Sequence, residues 1–282
     1  MFAETFHFNT GEIPVFTCRE CLEEHKTHSE MTHLHKDIEI VSVLKGTISC
    51  QTGDENFDLK KGDICFINRN QIHSLHENGT ESSHRVLIIG HDLLKKIPSV
   101  YNKYIKVFLE DMSFSHVRFE GMDSHAAEIN KYINDMEKLK KKAEPGYELE
   151  MLSMIYKILW HLYTAYAHGS APKAPDNNLL IQEHMMEFIY EHFDEPLTLD
   201  EIAASGNISR SQCSKLFKQY SGMSPITFLN HHRLEVSRDM LRSTDESIAN
   251  IALACGFSDQ SYFNRLFLRE YACTPLEYRK SG

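Results

Sequence analysis

Glu201–Pro225 reads EIAASGNISRSQCSKLFKQYSGMSP, and Asn250–Pro275 reads NIALACGFSDQSYFNRLFLREYACTP. The two stretches are copies of one unit. Ile202 matches Ile251, Ala203 matches Ala252, Ser209 matches Ser258, Phe217 matches Phe267 and Pro225 matches Pro275. The period is about fifty residues, and the second copy carries one extra residue between its serine and its phenylalanine. Each copy predicts helix, tight turn, helix. Thr198 with Glu201 three residues on is a capping-box pattern for the first short helix. Ser209 and Ser258 are expected to cap the second helix of each pair. Asn207 and Gly256 fall at the turns, where a residue tolerating positive φ is needed. Ser224-Pro225, an N-cap followed by Pro at the first helical position, opens ITFLNHHRLEVSRDML. Its Phe228, Leu229, Val236, Met240 and Leu241 suit a helix joining the two units. Leu216, Phe217, Phe257, Phe263, Leu266 and Phe267 read as core, being large apolar groups at helical spacing. Two helices meeting through a short turn lay the second one in the DNA major groove, and a tandem pair reaches two successive groove segments.

At these residues the chain resembles the AraC/XylS family of transcription regulators, over about its last hundred residues. The resemblance implies a sequence-specific DNA-binding regulator, in this family more often an activator than a repressor. Its implied partners are double-stranded promoter DNA, RNA polymerase and a second copy of the chain. It places Arg210, Ser211, Ser214 and Lys215 in the groove from the first unit, and Gln260, Ser261, Tyr262 and Arg265 from the second. The chemistry suits them, because Arg or Lys pairs with guanine O6/N7 and Gln with adenine N6/N7. Leu268 stands where the family usually has Lys, and Ala272 where it usually has Gly. Lys218, Arg269 and Arg279 are either phosphate contacts or solvated charges. The first recognition helix carries Arg210, Lys215 and Lys218 with no acid, whereas Asp259 and Glu270 accompany the arginines of the second. The first is therefore expected to supply more of the salt-dependent affinity.

The formal charge of -10 argues by itself against nucleic acid. Charge acts locally, however, and from Ile202 onward ten basic residues face seven acidic ones. At 282 residues, 41% hydrophobic and 25% charged, the chain has the length for two ordinary domains and the composition of a globular protein. No apolar run approaches the roughly 18–20 residues that span a bilayer. MFAETFHFNT lacks the basic start and apolar core of a signal peptide. Seven cysteines, an odd number, fit a reducing compartment. A cytoplasmic protein with no membrane partner is expected.

From Phe16 to about Gly90 the residues favour strands, with Ile and Val runs punctuated by Gly-Asp and Asn. HLHKDIEIVSVLKG, written as spacing, is His33-x-His35-x3-Glu39-x6-Gly46. It resembles the first motif of the cupin superfamily, and GDICFINRNQIHSLHE resembles the second. Gly62 and His73 match there, while Asn68, Asn70 and Glu77 depart from the usual Pro, Gly and Asn. His33, His35 and Glu39 share strand parity and can point into one barrel interior. In cupin enzymes these four positions hold a metal, and three His with one carboxylate suit Zn, Fe, Mn or Ni. In regulators with a cupin-like sensor the same pattern often lines an effector pocket without metal. Joined to a DNA-binding half, His33, His35, Glu39 and His73 are expected to bind a small effector, a sugar or sugar derivative first, with no cofactor and no enzymatic activity. The alternative is a metal-dependent cupin enzyme, using those same four ligands, fused to a DNA-binding module. A barrel serving only dimerisation is a third reading. Cys18 and Cys21 are expected to be ordinary thiols, since three residues apart on a strand they point to opposite faces. His25 and His28 are expected in a solvated loop.

In ELEMLSMIYKILWHLYTAY, the residues Leu149, Leu152, Ile155, Leu159, Leu162 and Tyr166 form a stripe. With DSHAAEINKYINDMEKLKKK before Pro145-Gly146 it predicts a helical hairpin, packed on the barrel or forming a dimer seam. The expected fold class is α+β multidomain. A cupin-like barrel spans 1–121, the hairpin 122–167, a linker 168–177, and an all-α domain with two helix-turn-helix motifs 178–282.

Overall fold

A computed structural model describes residues 13–19, 32–77, 82–111, 113–169 and 177–281. The chain divides into two compact units at about residue 175. Cys21, His25, His28 and most of the expected linker lie outside the described residues.

The N-terminal unit is built on two antiparallel sheets. The strands are β1 (Val15–Arg19), β2 (Ile38–Lys45), β3 (Thr47–Thr52), β4 (Glu55–Lys60), β5 (Ile64–Ile67), β6 (His73–Glu77), β7 (Ser83–Ile89) and β8 (His116–Phe119). One sheet has the order β1-β7-β2-β5-β8 and the other β4-β3-β6. Alternation along the strands sorts residues to two cores. Val41, Val43, Cys65, Ile67, Val86 and Ile88 of the larger sheet meet Ile48, Cys50, Leu59 and Leu75 of the smaller one, filling the barrel. Ile38, Ile40, Ile64, Phe66, Leu87 and Ile89 point the other way, into a core completed by helices. The central strands are covered on both faces, hence their near-continuous apolar character.

Those helices begin with the short α1 (His91–Leu94) and α2 (Pro98–Val100), a π-helical turn at Tyr101–Ile105, and α3 (Lys106–Leu109). The hairpin follows as α4 (Ser124–Lys142) and α5 (Tyr147–His168). Asp123 caps α4, and the Ala143 and Gly146 left-handed residues make the turn. The phase of α5 differs from the expected stripe. Met151, Ile155, Ile158, Leu159 and Leu162 are buried, whereas Leu149 is 73% exposed. Leu149 and Trp160, eleven residues and thus about three turns apart, share the outward face. Leu149 fits the i, i+3 spacing to Leu152 but not the phase that Met151 and Ile158 impose together. Among the described residues no helix is long and apolar enough to cross a membrane.

The C-terminal unit is all helical: α6 (Asn177–His192), α7 (Leu199–Ser205), α8 (Arg210–Ser221), α9 (Pro225–Ser243), α10 (Ile248–Ala254), α11 (Gln260–Tyr271) and α12 (Pro275–Ser281). The Thr198–Glu201 capping box and the Ser224 cap with Pro225 form as the sequence predicts. Asn207 and Gly256 both adopt positive φ, 52° and 79°. A Cβ on Gly256 would also meet the Phe193 carbonyl oxygen at 2.5 Å. Ser209 caps α8, but the cap of α11 is Asp259 and not Ser258. The extra residue of the second copy explains this: it falls ahead of the helix, moves the start on by one, and hands capping to the next residue. Phe217 and Phe267, like the other residues assigned to core, are buried.

Cys18 is engaged in a disulfide, so its expected state as a free thiol is corrected. The five other described cysteines are free.

Candidate functional site

Three separate segments bring His33, His35, Glu39 and His73 together. His33 and His35 precede β2, Glu39 is its second residue, and His73 opens β6. His33 and His73 face each other across an isolated antiparallel bridge, each backbone N–H donating to the other's carbonyl at 2.9 Å. Residues 35 and 70 are tied likewise, the Asn70 N–H donating to the His35 carbonyl at 2.7 Å. Asn70 does so at φ 56°, a conformation that Asn tolerates among side-chain-bearing residues. Asn68 pins the same loop, its Nδ2 donating to the carbonyls of Phe108 at 3.0 Å and Phe114 at 2.9 Å. Asn68 and Asn70, two of the three departures from the usual cupin residues, thus hold the loop that presents His73.

All four side chains are buried, and each offers one donor atom within 4.8 Å of the others. Glu39 Oε2 lies 3.0 Å from His35 Nε2 and 3.2 Å from His73 Nε2. The His33 and His73 rings are 4.2 Å apart at their centroids. His35 Nδ1 sits 3.0 Å from the Asp37 carbonyl, and His73 Nδ1 2.8 Å from the Gln71 carbonyl. A carbonyl only accepts, so both Nδ1 atoms carry a proton and both Nε2 atoms point inward. Burial and the neighbouring His33 push the His73 ring down to about 4, so it is neutral near pH 7. Burial raises the Glu39 carboxyl, yet His73 and His35 outweigh it and hold it well below the carboxylate range. Glu39 Oε1 is buried and has no hydrogen-bond partner among the described residues.

These facts decide what the cluster can hold. Nε2 of His35 and His73 converge on Glu39 Oε2, so three ring and carboxylate atoms face one another at hydrogen-bond distance. A divalent cation would take its ligands at about 2.0–2.2 Å, which suits four donors this close, and a metal-binding His commonly anchors its other ring N–H on a carbonyl. The donor set therefore fits a divalent cation. It fits equally the hydroxyl groups of a ligand, which donate where these atoms accept.

On the C-terminal unit, Arg210, Ser211 and Lys215 of α8 and Gln260, Ser261, Tyr262 and Arg265 of α11 are exposed, with Ser214 half-buried. Each set occupies the outward face of the second helix of its pair, away from Cys213, Leu216 and Phe217 or Phe263, Leu266 and Phe267. Arg265 lies over the Tyr262 ring at 5.9 Å, and the Tyr262 hydroxyl accepts from Asn230 Nδ2 at 3.2 Å. Both Arg210 edge nitrogens, Nε and Nη2, donate to the Asp200 carboxylate of α7. Sequence reading missed Asp200, as it missed Arg233 of α9. The buried Arg233 guanidinium donates to the carbonyls of Phe193 and Glu195, each at 2.7 Å, and so ties the end of α6 to the linker helix.

Comparison with known proteins agrees with both halves. The helix-turn-helix domain family matches residues 202–281, and the cupin domain family matches residues 19–90. Over nearly the whole length the chain is similar to the HTH-type transcriptional regulator YdeC of Bacillus subtilis, at 24% identity across 98% of this chain and 95% of that one. The HTH-type transcriptional activator RhaS of an Enterobacter species is 26% identical across 88% of this chain and 87% of its own. In fold, the apo form of ToxT from Vibrio cholerae superposes with a TM-score of 0.55 at 14% identity, covering 95% of this chain and 98% of that one.

Proposed function

The chain belongs to the AraC/XylS family of transcriptional regulators and carries an N-terminal cupin-like domain, and from that premise we propose that a small ligand held at His33, His35, Glu39 and His73 governs its binding to promoter DNA. DNA is read through α8 and α11, whose outward faces carry the groove-facing residues named above. The observation that supports the ligand half is the convergence of four buried polar side chains, with Glu39 Oε1 left without a partner among the described residues. Burying a carboxylate among imidazoles costs desolvation that apolar residues of the same volume avoid. Such a cluster is accounted for by something that binds it.

The first ligand class is a sugar or sugar derivative, whose hydroxyls both donate and accept. A divalent cation is the second reading, favoured by the two Nδ1 atoms anchored on carbonyls. When bound, such a cation would neutralise Glu39 and offer a coordination position to a ligand oxygen. In this reading the regulator acts in the cytoplasm as a homodimer, recruits RNA polymerase and activates, as the RhaS relatives are activators. It is not an enzyme; its full-length relatives are transcriptional regulators.

Metal content of protein purified without added metal, together with thermal shifts across a panel of sugars and divalent cations, tests the ligand half. A stabilisation seen in the wild type and abolished by Glu39→Gln and His73→Ala is the expected result. A hundredfold excess of ligand over Kd would stabilise by about 2.7 kcal/mol. A wild type that contains no metal and shifts with no ligand, or shifts equally in the variants, would overturn the assignment.

A further inference from the structure

Asp200 and Arg210 stand in the first turns of α7 and α8, on opposite sides of the helix-turn-helix turn. The carboxylate receives Nε of Arg210 on one oxygen and Nη2 on the other, a side-on bidentate clasp. A guanidinium carries five N–H donors in a planar fork. The side-on clasp uses one Nε–H and one Nη2–H, leaving the end-on pair of Nη1 and Nη2 donors free. That end-on pair is the edge that matches guanine O6 and N7. The clasp also places a negative charge at the N-terminal turn of α7, and it offsets a cation standing at the unfavourable N-terminal end of α8. Both side chains remain exposed, so the arrangement lies where the recognition helix meets DNA.

The second repeat supplies an internal comparison. Ala249 corresponds to Asp200, and Gln260 corresponds to Arg210. The acid and the base are absent together, and Gln260 needs no counter-charge to be held.

We propose that Asp200 is a positioning residue for base readout: it fixes Arg210 with its end-on edge toward a guanine and cancels the charge that would otherwise draw Arg210 to any phosphate. The proposal rests on α8 being a reading helix at Arg210. Its consequence is specificity without much gain in affinity, since phosphate attraction is sequence-independent and salt-dependent whereas a bidentate base contact is neither to the same degree.

The test uses the full-length protein and a duplex selected by it from a randomised pool, beside an unrelated duplex of equal length. Affinity for both is measured over a range of salt for the wild type, D200N, D200S and R210A, with thermal unfolding of each. The expected result is that D200N and D200S bind the unrelated duplex at least threefold more tightly. Their salt dependence steepens by about one phosphate contact, and their ratio of specific to unrelated affinity falls about tenfold. Replacing the guanine that Arg210 reads should cost the wild type more than it costs either variant. If R210A weakens the selected duplex while both Asp200 variants keep the wild-type ratio and slope, the positioning role is wrong. If R210A changes nothing, the reading of α8 at this residue is itself wrong, and the proposal falls with it.

Discussion

Gly222 and Ala272 occupy the same place in the two repeats, ending α8 and α11 with φ of 70° and 60°. A left-handed residue is natural for Gly and costs an L side chain about 1 kcal/mol or more, part of which Gly returns through the entropy of the unfolded chain. Ala272→Gly should therefore stabilise the protein by roughly 0.5–1 kcal/mol, read as a rise in the denaturant midpoint without change in slope. A lower midpoint would mean that the Ala272 methyl makes a compensating contact. Glu183 on α6 gives the pH dependence. Burial, helped by the charge of Glu187, lifts its carboxyl from 4.5 to about 8. Between those values the folded chain keeps a proton that the unfolded chain releases, so stability present below pH 4.5 is lost as pH rises toward 8. Glu183→Gln should raise stability at pH 7.5 by on the order of 1 kcal/mol or more, and flatten the curve between pH 5 and 8. Equal pH profiles for variant and wild type would refute this account of Glu183.

At the scale of elements, the repeat was legible because each copy carries its own punctuation. Thr198, Ser209 and Ser224 cap where their side chains suggest, Pro225 takes the first helical position, and the turn residues Asn207 and Gly256 take positive φ. Ser258 misled because an inserted residue shifts a cap by one position while leaving the core spacing almost intact. Leu149 misled because apolar residues at i and i+3 recur by chance on a helix as rich in them as α5, and only the partner surface selects the phase. Asp200 and Arg233 were not legible at all: their partners are ten and about forty residues away and are set by packing. The exposed face of α11 yields its own prediction. Arg265→Ala should weaken the selected duplex by ~1–3 kcal/mol and relax preference at one base position. Unchanged affinity and preference in a binding-site selection would remove Arg265 from the reading face.

For the whole molecule, the four-residue centre was legible from spacing, and its geometry confirms that the four side chains meet. What they hold was not legible, because the same donors serve a cation or a hydroxylated ligand. β2 is the strand that links this centre to the rest of its unit. Glu39 points inward from it, while Ser42 points outward and donates to Asn130 Oδ1 of α4, whose Nδ2 donates to the Gly62 carbonyl at 2.9 Å. A ligand that shifts Glu39 acts on a strand whose other face is bonded to the hairpin. A ligand changes an equilibrium only by its differential affinity for the two states, so the proposed control of DNA binding requires that occupancy of the centre change the DNA affinity. The decisive measurement is the Kd for the selected duplex after dialysis against a chelator. It is taken with and without added zinc, manganese or iron and with each sugar that shifts unfolding, for the wild type and for Glu39→Gln. The account predicts a change of threefold or more in the wild type with at least one of these, and no change in the variant. No response in the wild type, or the same response in both proteins, would contradict it.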